Sequence, residues 1–145
     1  MKNKTVRIIS IIVFILTAVA GLVFAALYLL RPEFMPYHEV ALGTQWTDLE
    51  PAIQVLILAL MRVSGGAFLT TSIALTFLML VPLRNGKFWP YYAIPIIGLA
   101  TLVPSMIATF SVKFNTPANP PYLIAAILSG LLLIVFVLAL VYRKK

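Results

Sequence analysis

The fold is decided by one uninterrupted apolar stretch, IISIIVFILTAVAGLVFAALYLL, at residues 8–30. It runs for 23 residues without a charged side chain. A helix that crosses the roughly 30 Å hydrocarbon core of a bilayer needs about 20 apolar residues, because each residue rises about 1.5 Å. A signal peptide would end its apolar core after about 7–15 residues. The stretch therefore predicts an uncleaved membrane-spanning helix.

Three more apolar runs of similar length follow. The predicted spanning helices cover residues 8–30, 52–81, 88–112 and 122–142, with outer loops at 31–51 and 113–121 and an inner loop at 82–87. Continuous apolar runs favour helices over the alternating strands of a membrane barrel. We therefore expect an all-α, integral-membrane four-helix bundle that forms a single transmembrane domain over residues 1–145.

The composition agrees with this fold and excludes other classes of protein. Hydrophobic residues make up 62% of the 145 residues, charged residues make up 10%, and the mean hydropathy is +1.05. A soluble domain is about 45–50% apolar and about 25% charged, so a soluble, disordered or coiled-coil protein is excluded. The chain has no cysteine, which removes disulfides, thiol catalysis and thiolate metal sites.

The placement of the basic residues predicts the orientation of the bundle. Most of them fall on one side of a four-span protein, at Lys2, Lys4, Arg7, Arg84, Lys87, Arg143, Lys144 and Lys145. The other side has only Arg31 and Lys113, together with the acidic loop of about 20 residues between the first two helices. The positive-inside rule then places both termini in the cytoplasm. The net charge of +7 is therefore a topology signal and does not indicate a nucleic-acid partner.

Arg62 is the one charged residue within a predicted span. A central arginine costs roughly 2.5–3.5 kcal/mol on insertion scales, so it needs a partner. Counting from the helix ends predicts that it lies level with Val103 to Ser105. The expected polar cluster consists of Arg62, Ser64, Gly65, Gly66, Thr101, Ser105 and Ser129. Four roles stay open for Arg62: a hydrogen bond to these groups, an ion pair with a carboxylate of the outer loop, a contact to an anionic headgroup or ligand, and a contact to another subunit.

The outer loop is rich in aromatic and polar residues. Its candidate recognition residues are Tyr37, His38, Glu39, Trp46, Asp48 and Glu50. They lack the ligand spacing of a structural zinc site, so no metal is expected. No motif of a nucleophile, a phosphate loop or a helical carboxylate cluster is present, so no catalytic residue and no cofactor is predicted. A loop of this kind serves as a lid over the helix ends or as a docking surface.

Residues 37–46 and the stretch Leu60-Met61-Arg62-Val63-Ser64-Gly65-Gly66 resemble small bacterial inner-membrane proteins of unassigned function. The four-helix plan is also similar to that of the DoxX-like proteins and the MAPEG enzymes. The polar Arg/Asn/Glu set of a MAPEG second helix is represented here by Arg62 alone, which argues against glutathione chemistry. The resemblance implies no catalytic residues.

Three functional hypotheses follow from these observations. The first is a non-enzymatic membrane protein, either an accessory or scaffold subunit or a small module that binds a lipid-like ligand. The second is an oligomeric carrier or channel for a small molecule or ion, with Arg62 contributing to anion selectivity. The third is an integral enzyme that acts on a lipid or quinone. The expected partners are membrane lipids and another membrane protein or a second copy of this chain.

Overall fold

The computed structural model describes residues 4–143, except for the side chain of Arg143, and the regular secondary structure of this part of the chain consists of helices, with no strands. The helices are α1 (Lys4–Leu30), α2 (Pro36–Leu42), α3 (Pro51–Leu78), α4 (Pro90–Asn115) and α5 (Tyr122–Arg143). All except α2 are long and apolar enough to cross a membrane. The prediction of an all-helical fold with four long apolar helices is therefore confirmed.

The segments between the long helices contain more structure than the sequence predicts. The region expected to be an outer loop includes the seven-residue helix α2 and a single 3₁₀ turn at Trp46–Asp48. At its far end, α3 continues as one wide π turn over Met79–Leu83, which contains Pro82. Proline has no backbone N–H to donate, and this removes one hydrogen bond of the regular helix. The chain therefore passes from α3 into the connection before α4 through a widened turn.

The long helices form two antiparallel hairpins. The segment 31–50 joins α1 to α3, and residues 116–121 join α4 to α5. Each hairpin packs more closely within itself than against the other. Glycines mark the close approaches: Gly21 lies against Ser72, and Gly98 lies against Leu132. We call the end of the bundle that carries residues 31–50 the loop end, and the opposite end the terminal end.

The half of the bundle nearer the terminal end contains a packed apolar core. Its largest fully buried apolar side chains come from all four long helices, namely Phe14, Leu75, Ile94, Leu132 and Val135. The ring of Phe14 lies 6.1 Å from that of Tyr91, which joins α1 to α4. This core packs the two hairpins against each other at the terminal end of the bundle.

Charged residues frame each of the first three long helices at matching levels. Between Arg7 and Arg31 lie 23 residues without a charge, and between Lys87 and Lys113 lie 25. The stretch from Arg62 to Arg84 encloses 21 such residues. Each stretch is about 30–40 Å long at the helical rise, which matches the hydrocarbon core of a bilayer. The eleven residues of α3 that precede Arg62 are uncharged as well, and all of Pro51–Leu83 is long and apolar enough to cross a membrane.

Candidate functional site

A cavity of about 260 Å³ occupies the half of the bundle nearer the loop end. All four long helices contribute to its wall, and α2 contributes Tyr37 and His38 at the loop end. On α1 the wall runs from Thr17 to Tyr28, a length of about 16 Å. The cavity therefore reaches from the middle of the bundle to α2, which lies over it as a lid.

The wall of the cavity is mainly apolar. Aromatic and aliphatic side chains supply most of its surface, including Phe24, Phe68, Leu102, Ile124 and Leu128. The rings of Phe24 and Phe68 stack with their centroids 5.5 Å apart, joining α1 to α3. Among residues 4–143, no Asp, Glu, Lys or Arg side chain lines the cavity. Because an unpaired charge is costly in such surroundings, the cavity favours an uncharged occupant.

Hydroxyl groups interrupt this apolar wall in a regular way. On α4, Thr101, Ser105 and Thr109 follow one another at intervals of four residues and line one face. Ser105 donates to the Thr101 carbonyl oxygen at 3.0 Å, and Thr109 donates to the Ser105 carbonyl oxygen at 2.9 Å. The hydroxyl hydrogens of Ser105 and Thr109 are thus taken by the helix itself, while their oxygen lone pairs stay available. The stripe therefore offers hydrogen-bond acceptors to an occupant.

One hydrogen bond between hydroxyls crosses the cavity wall from α3 to α4. The Oγ1 atoms of Thr71 and Thr101 are 2.6 Å apart. Ser72, beside Thr71, donates to the Phe68 carbonyl oxygen at 2.8 Å. Thr71 therefore joins α3 to α4 by the kind of hydroxyl hydrogen bond that is common between membrane helices.

The lid helix is capped by a hydrogen bond at each end, and one buried ring packs against it. The backbone N–H of Met35 donates to Nδ1 of His38 at 3.3 Å, which closes the first turn of α2. Gly43, at φ 69°, ends the helix and donates its N–H to the Glu39 carbonyl oxygen. Only glycine adopts this left-handed conformation freely. Phe34 is buried beneath α2 with its ring centroid 5.1 Å from that of Trp46.

Two titratable groups of the lid face the cavity. The hydroxyls of Tyr37 and Tyr28 lie 2.6 Å apart, and burial together with this hydrogen bond raises the pKa of Tyr37 well above its usual range. Burial lowers the pKa of His38, which is therefore neutral at pH 7. Since Nδ1 of His38 accepts the Met35 N–H, the neutral ring carries its proton on Nε2. The lid end of the cavity therefore supplies hydrogen-bond donors, in contrast to the stripe on α4.

The structure divides the predicted polar cluster. Ser64 of α3 and Thr101 and Ser105 of α4 line the cavity, so these two helices bring three of the predicted residues together. The neighbouring glycines do not: a Cβ on Gly65 would lie 2.9 Å from Cγ of Leu29 in α1, whereas Gly66 faces open space.

Ser129 lies outside the cavity lining. It is 5% exposed, and its Oγ has no hydrogen-bond partner among residues 4–143.

Arg62 does not face this cluster. Its side chain is exposed on the outer surface of α3, and within residues 4–143 it makes no hydrogen bond or ion pair. Gly65 packs against Leu29, and the two helices are antiparallel, so Arg62 lies one turn further toward the loop end, level with Arg31. On α4, the hydrogen bond of Thr71 to Thr101 puts Arg62, nine residues nearer the loop end, level with about residue 110. The expected level near Val103 to Ser105 is therefore wrong by nearly two helical turns.

The acidic residues of the loop end also stand apart from Arg62. Glu39, Asp48 and Glu50 are exposed. Arg31 and Glu33 form the one ion pair among residues 4–143, at 3.3 Å. The proposed ion pair between Arg62 and a loop carboxylate is thus absent from this part of the chain. No group of three or more potential metal ligands occurs in the residues searched.

Several cavity residues were missed by sequence reasoning. Tyr28 and Thr109 were not among the predicted site residues, although Thr109 extends the spacing of Thr101 and Ser105 by four more residues. That spacing is the signal that could have identified Thr109, because residues four apart share one helix face.

Comparison with known proteins finds no matching family model, no matching curated protein and no matching solved structure.

Proposed function

We propose that this chain is a multi-pass membrane protein that binds a small, uncharged, lipid-like molecule in the cavity beneath α2. The observation that carries the proposal is the character of the cavity wall, which is apolar and uncharged but has hydroxyl oxygens along one side. Ligand sites are typically apolar pockets with a few polar groups that orient the ligand.

The arrangement of polar groups favours one end-to-end orientation of the ligand. The lid supplies donors from His38 and the tyrosine pair, and these suit a carbonyl or ether oxygen. The α4 stripe supplies acceptors, and these suit a hydroxyl lower in the cavity. The volume of about 260 Å³ lies just below the roughly 300–1,000 Å³ that is usual for drug-sized ligands. We therefore propose either a small amphiphile or one polar segment of a longer lipid.

The first experiment is native mass spectrometry of the protein extracted gently from its own membrane. We expect a discrete small-molecule mass bound to the protein. In the variant Ala125→Phe, a ring should fill the cavity and this mass should disappear, because Ala125 lines the wall. The matched control is Ala126→Phe, which adds the same ring at a neighbouring position outside the lining. A mass that persists in Ala125→Phe, or that never appears in the parent, would contradict the proposal.

The accessory-subunit hypothesis is the second candidate, and the outward position of Arg62 favours it. An exposed arginine on the outer surface of α3 is available to a carboxylate or headgroup outside the bundle. In the same mass spectra, a co-purifying foreign polypeptide that is lost in Arg62→Leu would support this function. A foreign polypeptide is not required for the ligand-binding function, so the two results are distinguishable.

Transport and catalysis are supported less well. Arg62 lies outside the cavity of one subunit, so a conducting path that uses it needs several copies. For an enzyme, His38 is the candidate base that borders the cavity, whereas Glu39 is exposed. A flux assay in liposomes tests transport. Turnover retained in both His38→Ala and Glu39→Gln would leave the enzyme without its base.

The proposed location is the bacterial inner membrane, with both termini in the cytoplasm. Support comes from the excess of basic residues at the terminal end and from the confinement of the four acidic residues to positions 33–50. In this orientation the lid and the cavity mouth face the periplasm.

A further inference from the structure

A second concave site, separate from the cavity, lies at the terminal end. It is a groove of about 470 Å³ between α1 and the last turns of α3. One wall follows a single face of α1 through Ile11, Ile15 and Leu22. The other wall includes Leu80 and Leu83 of the π turn. Leu80 is 60% exposed and Ile15 is 48% exposed, so the groove is open along its side to the surroundings of the bundle.

Two arginines stand at the mouth of this groove. Arg7 contributes from α1 and Arg84 from the residue after the π turn, and both side chains line it. The Arg7 guanidinium also lies beside the hydroxyl of Tyr91 on α4. All four acidic residues of the chain lie between positions 33 and 50, at the opposite end of the bundle. Among residues 4–143, no carboxylate side chain therefore lies near the two guanidinium groups to neutralise them.

The π turn shapes the groove on the side of α3. The turn contains Pro82, which has no backbone N–H to donate. The backbone N–H of Arg84 donates to the carbonyl oxygen of Met79, five residues earlier, at 3.2 Å, and this bond makes the turn wide. Single π turns inside helices occur frequently at functional sites. Here the turn carries both an apolar wall and the arginine that follows it.

We propose that this groove binds one anionic phospholipid. The phosphate would lie between Arg7 and Arg84, because guanidinium groups pair with phosphate through forked hydrogen bonds. One acyl chain would follow the apolar face of α1 from Ile11 to Leu22. The distance along α1 from Arg7 to Leu22 is about 22 Å, which exceeds the roughly 15 Å of one leaflet's hydrocarbon. Basic pockets between membrane helices are known to bind anionic headgroups in this way.

The test is lipid titration of the full-length protein in detergent, followed by native mass spectrometry. The probes are phosphatidylglycerol, which is anionic, and phosphatidylcholine, which is zwitterionic. We expect phosphatidylglycerol to bind more tightly. Arg7→Gln and Arg84→Gln should each weaken its binding about fivefold, and the double variant about thirtyfold, at the usual contribution of one basic residue. Arg84→Gln leaves the contact between Arg7 and Tyr91 intact, so it tests the charge without disturbing α4.

Lys87→Gln is the matched control, because it removes a positive charge from the same end but outside the groove. We expect it to weaken binding less than twofold. Equal losses in Lys87→Gln and Arg84→Gln would overturn the groove and leave only general attraction to a basic surface. Equal binding of the two lipids by the parent protein would also overturn it.

The acyl chain is tested separately from the phosphate. Val19→Trp places a ring in the groove at a position that is 52% exposed, where the fold tolerates it. We expect this variant to lose phosphatidylglycerol binding. Inorganic phosphate that displaces the lipid at millimolar concentration, or lipid binding unchanged in Val19→Trp, would show that the site holds a free anion and would overturn the proposal.

Discussion

The adjacent glycines Gly65 and Gly66 allow the packing of α1 on α3 to be measured directly. A Cβ at Gly65 would lie 2.9 Å from Cγ of Leu29 and 3.1 Å from its backbone N, whereas ordinary contacts are 3.4–4 Å. A side chain can rotate away, but the backbone nitrogen cannot, so α1 and α3 must separate. A Cβ at Gly66 meets nothing within 4 Å. The substitutions Gly65→Ala and Gly66→Ala therefore differ in this contact.

The magnitude follows from two opposing effects. Replacing glycine by alanine within a helix gains about 0.5–1 kcal/mol, and both variants receive this gain. Forcing an additional methyl group into a packed interface costs about 1–3 kcal/mol, and only Gly65→Ala incurs it. We expect Gly66→Ala to raise the free energy of unfolding by up to about 1 kcal/mol. Gly65→Ala should lie about 1–3 kcal/mol below it.

The assay is unfolding in mixed micelles with increasing sodium dodecyl sulfate, followed by far-ultraviolet circular dichroism. The difference between the two midpoints gives the cost of the contact, since the helix propensities cancel. Equal stability of Gly65→Ala and Gly66→Ala would refute the close packing of α1 on α3. It would also remove the basis for placing Arg62 level with Arg31.

Further predictions concern the lid and the topology. Tyr37→Phe removes the hydrogen bond to Tyr28 and should destabilise α2 by about 0.5–1.5 kcal/mol, seen as faster amide hydrogen exchange in residues 37–42. Burial lowers the pKa of His38 below its ordinary 6.5, so between these two values the unfolded lid binds more protons than the folded one. The stability of α2 should therefore fall as the pH drops through that window, and amide exchange in His38→Gln should lose this dependence. Single cysteines at Gln45 and Asn85 should label from opposite sides of the membrane; labelling from one side would contradict the proposed topology.

The sequence predicts the four long helices well because the requirement for a span is local. A bilayer demands about 20 apolar residues in one run, and each run meets this alone. The same reasoning does not predict the short helix α2. Pro32 and Pro36 indicate only that the first helix cannot continue, although proline is also favourable at the first position of a new helix. Whether a helix then forms depends on contacts such as that of His38 with Met35.

The depth of Arg62 illustrates what a sequence alone does not provide. Counting from the start of its apolar run assumes that the run begins at the membrane boundary, and this placed the arginine near the centre. The level is set instead by the contact of Gly65 with Leu29, which depends on how two helices pack. The cavity also depends on helix packing. Thr101 and Ser105 were predicted to share a site, but Thr71 joins them only because α3 packs against α4.

The division of the bundle into two hairpins has a consequence for its biosynthesis. Residues 4–78 form the first hairpin and residues 90–143 the second, so each can insert as a unit while the ribosome is still translating. The cavity beneath α2 takes wall residues from both hairpins, whereas the groove that carries Arg7 and Arg84 lies on the first hairpin and the π turn that follows it. The groove is therefore complete before the second hairpin is synthesised, and the cavity arises only when the second hairpin docks. Coexpression of the chain as two pieces cut at Asn85-Gly86 would reconstitute the cavity if docking alone creates it.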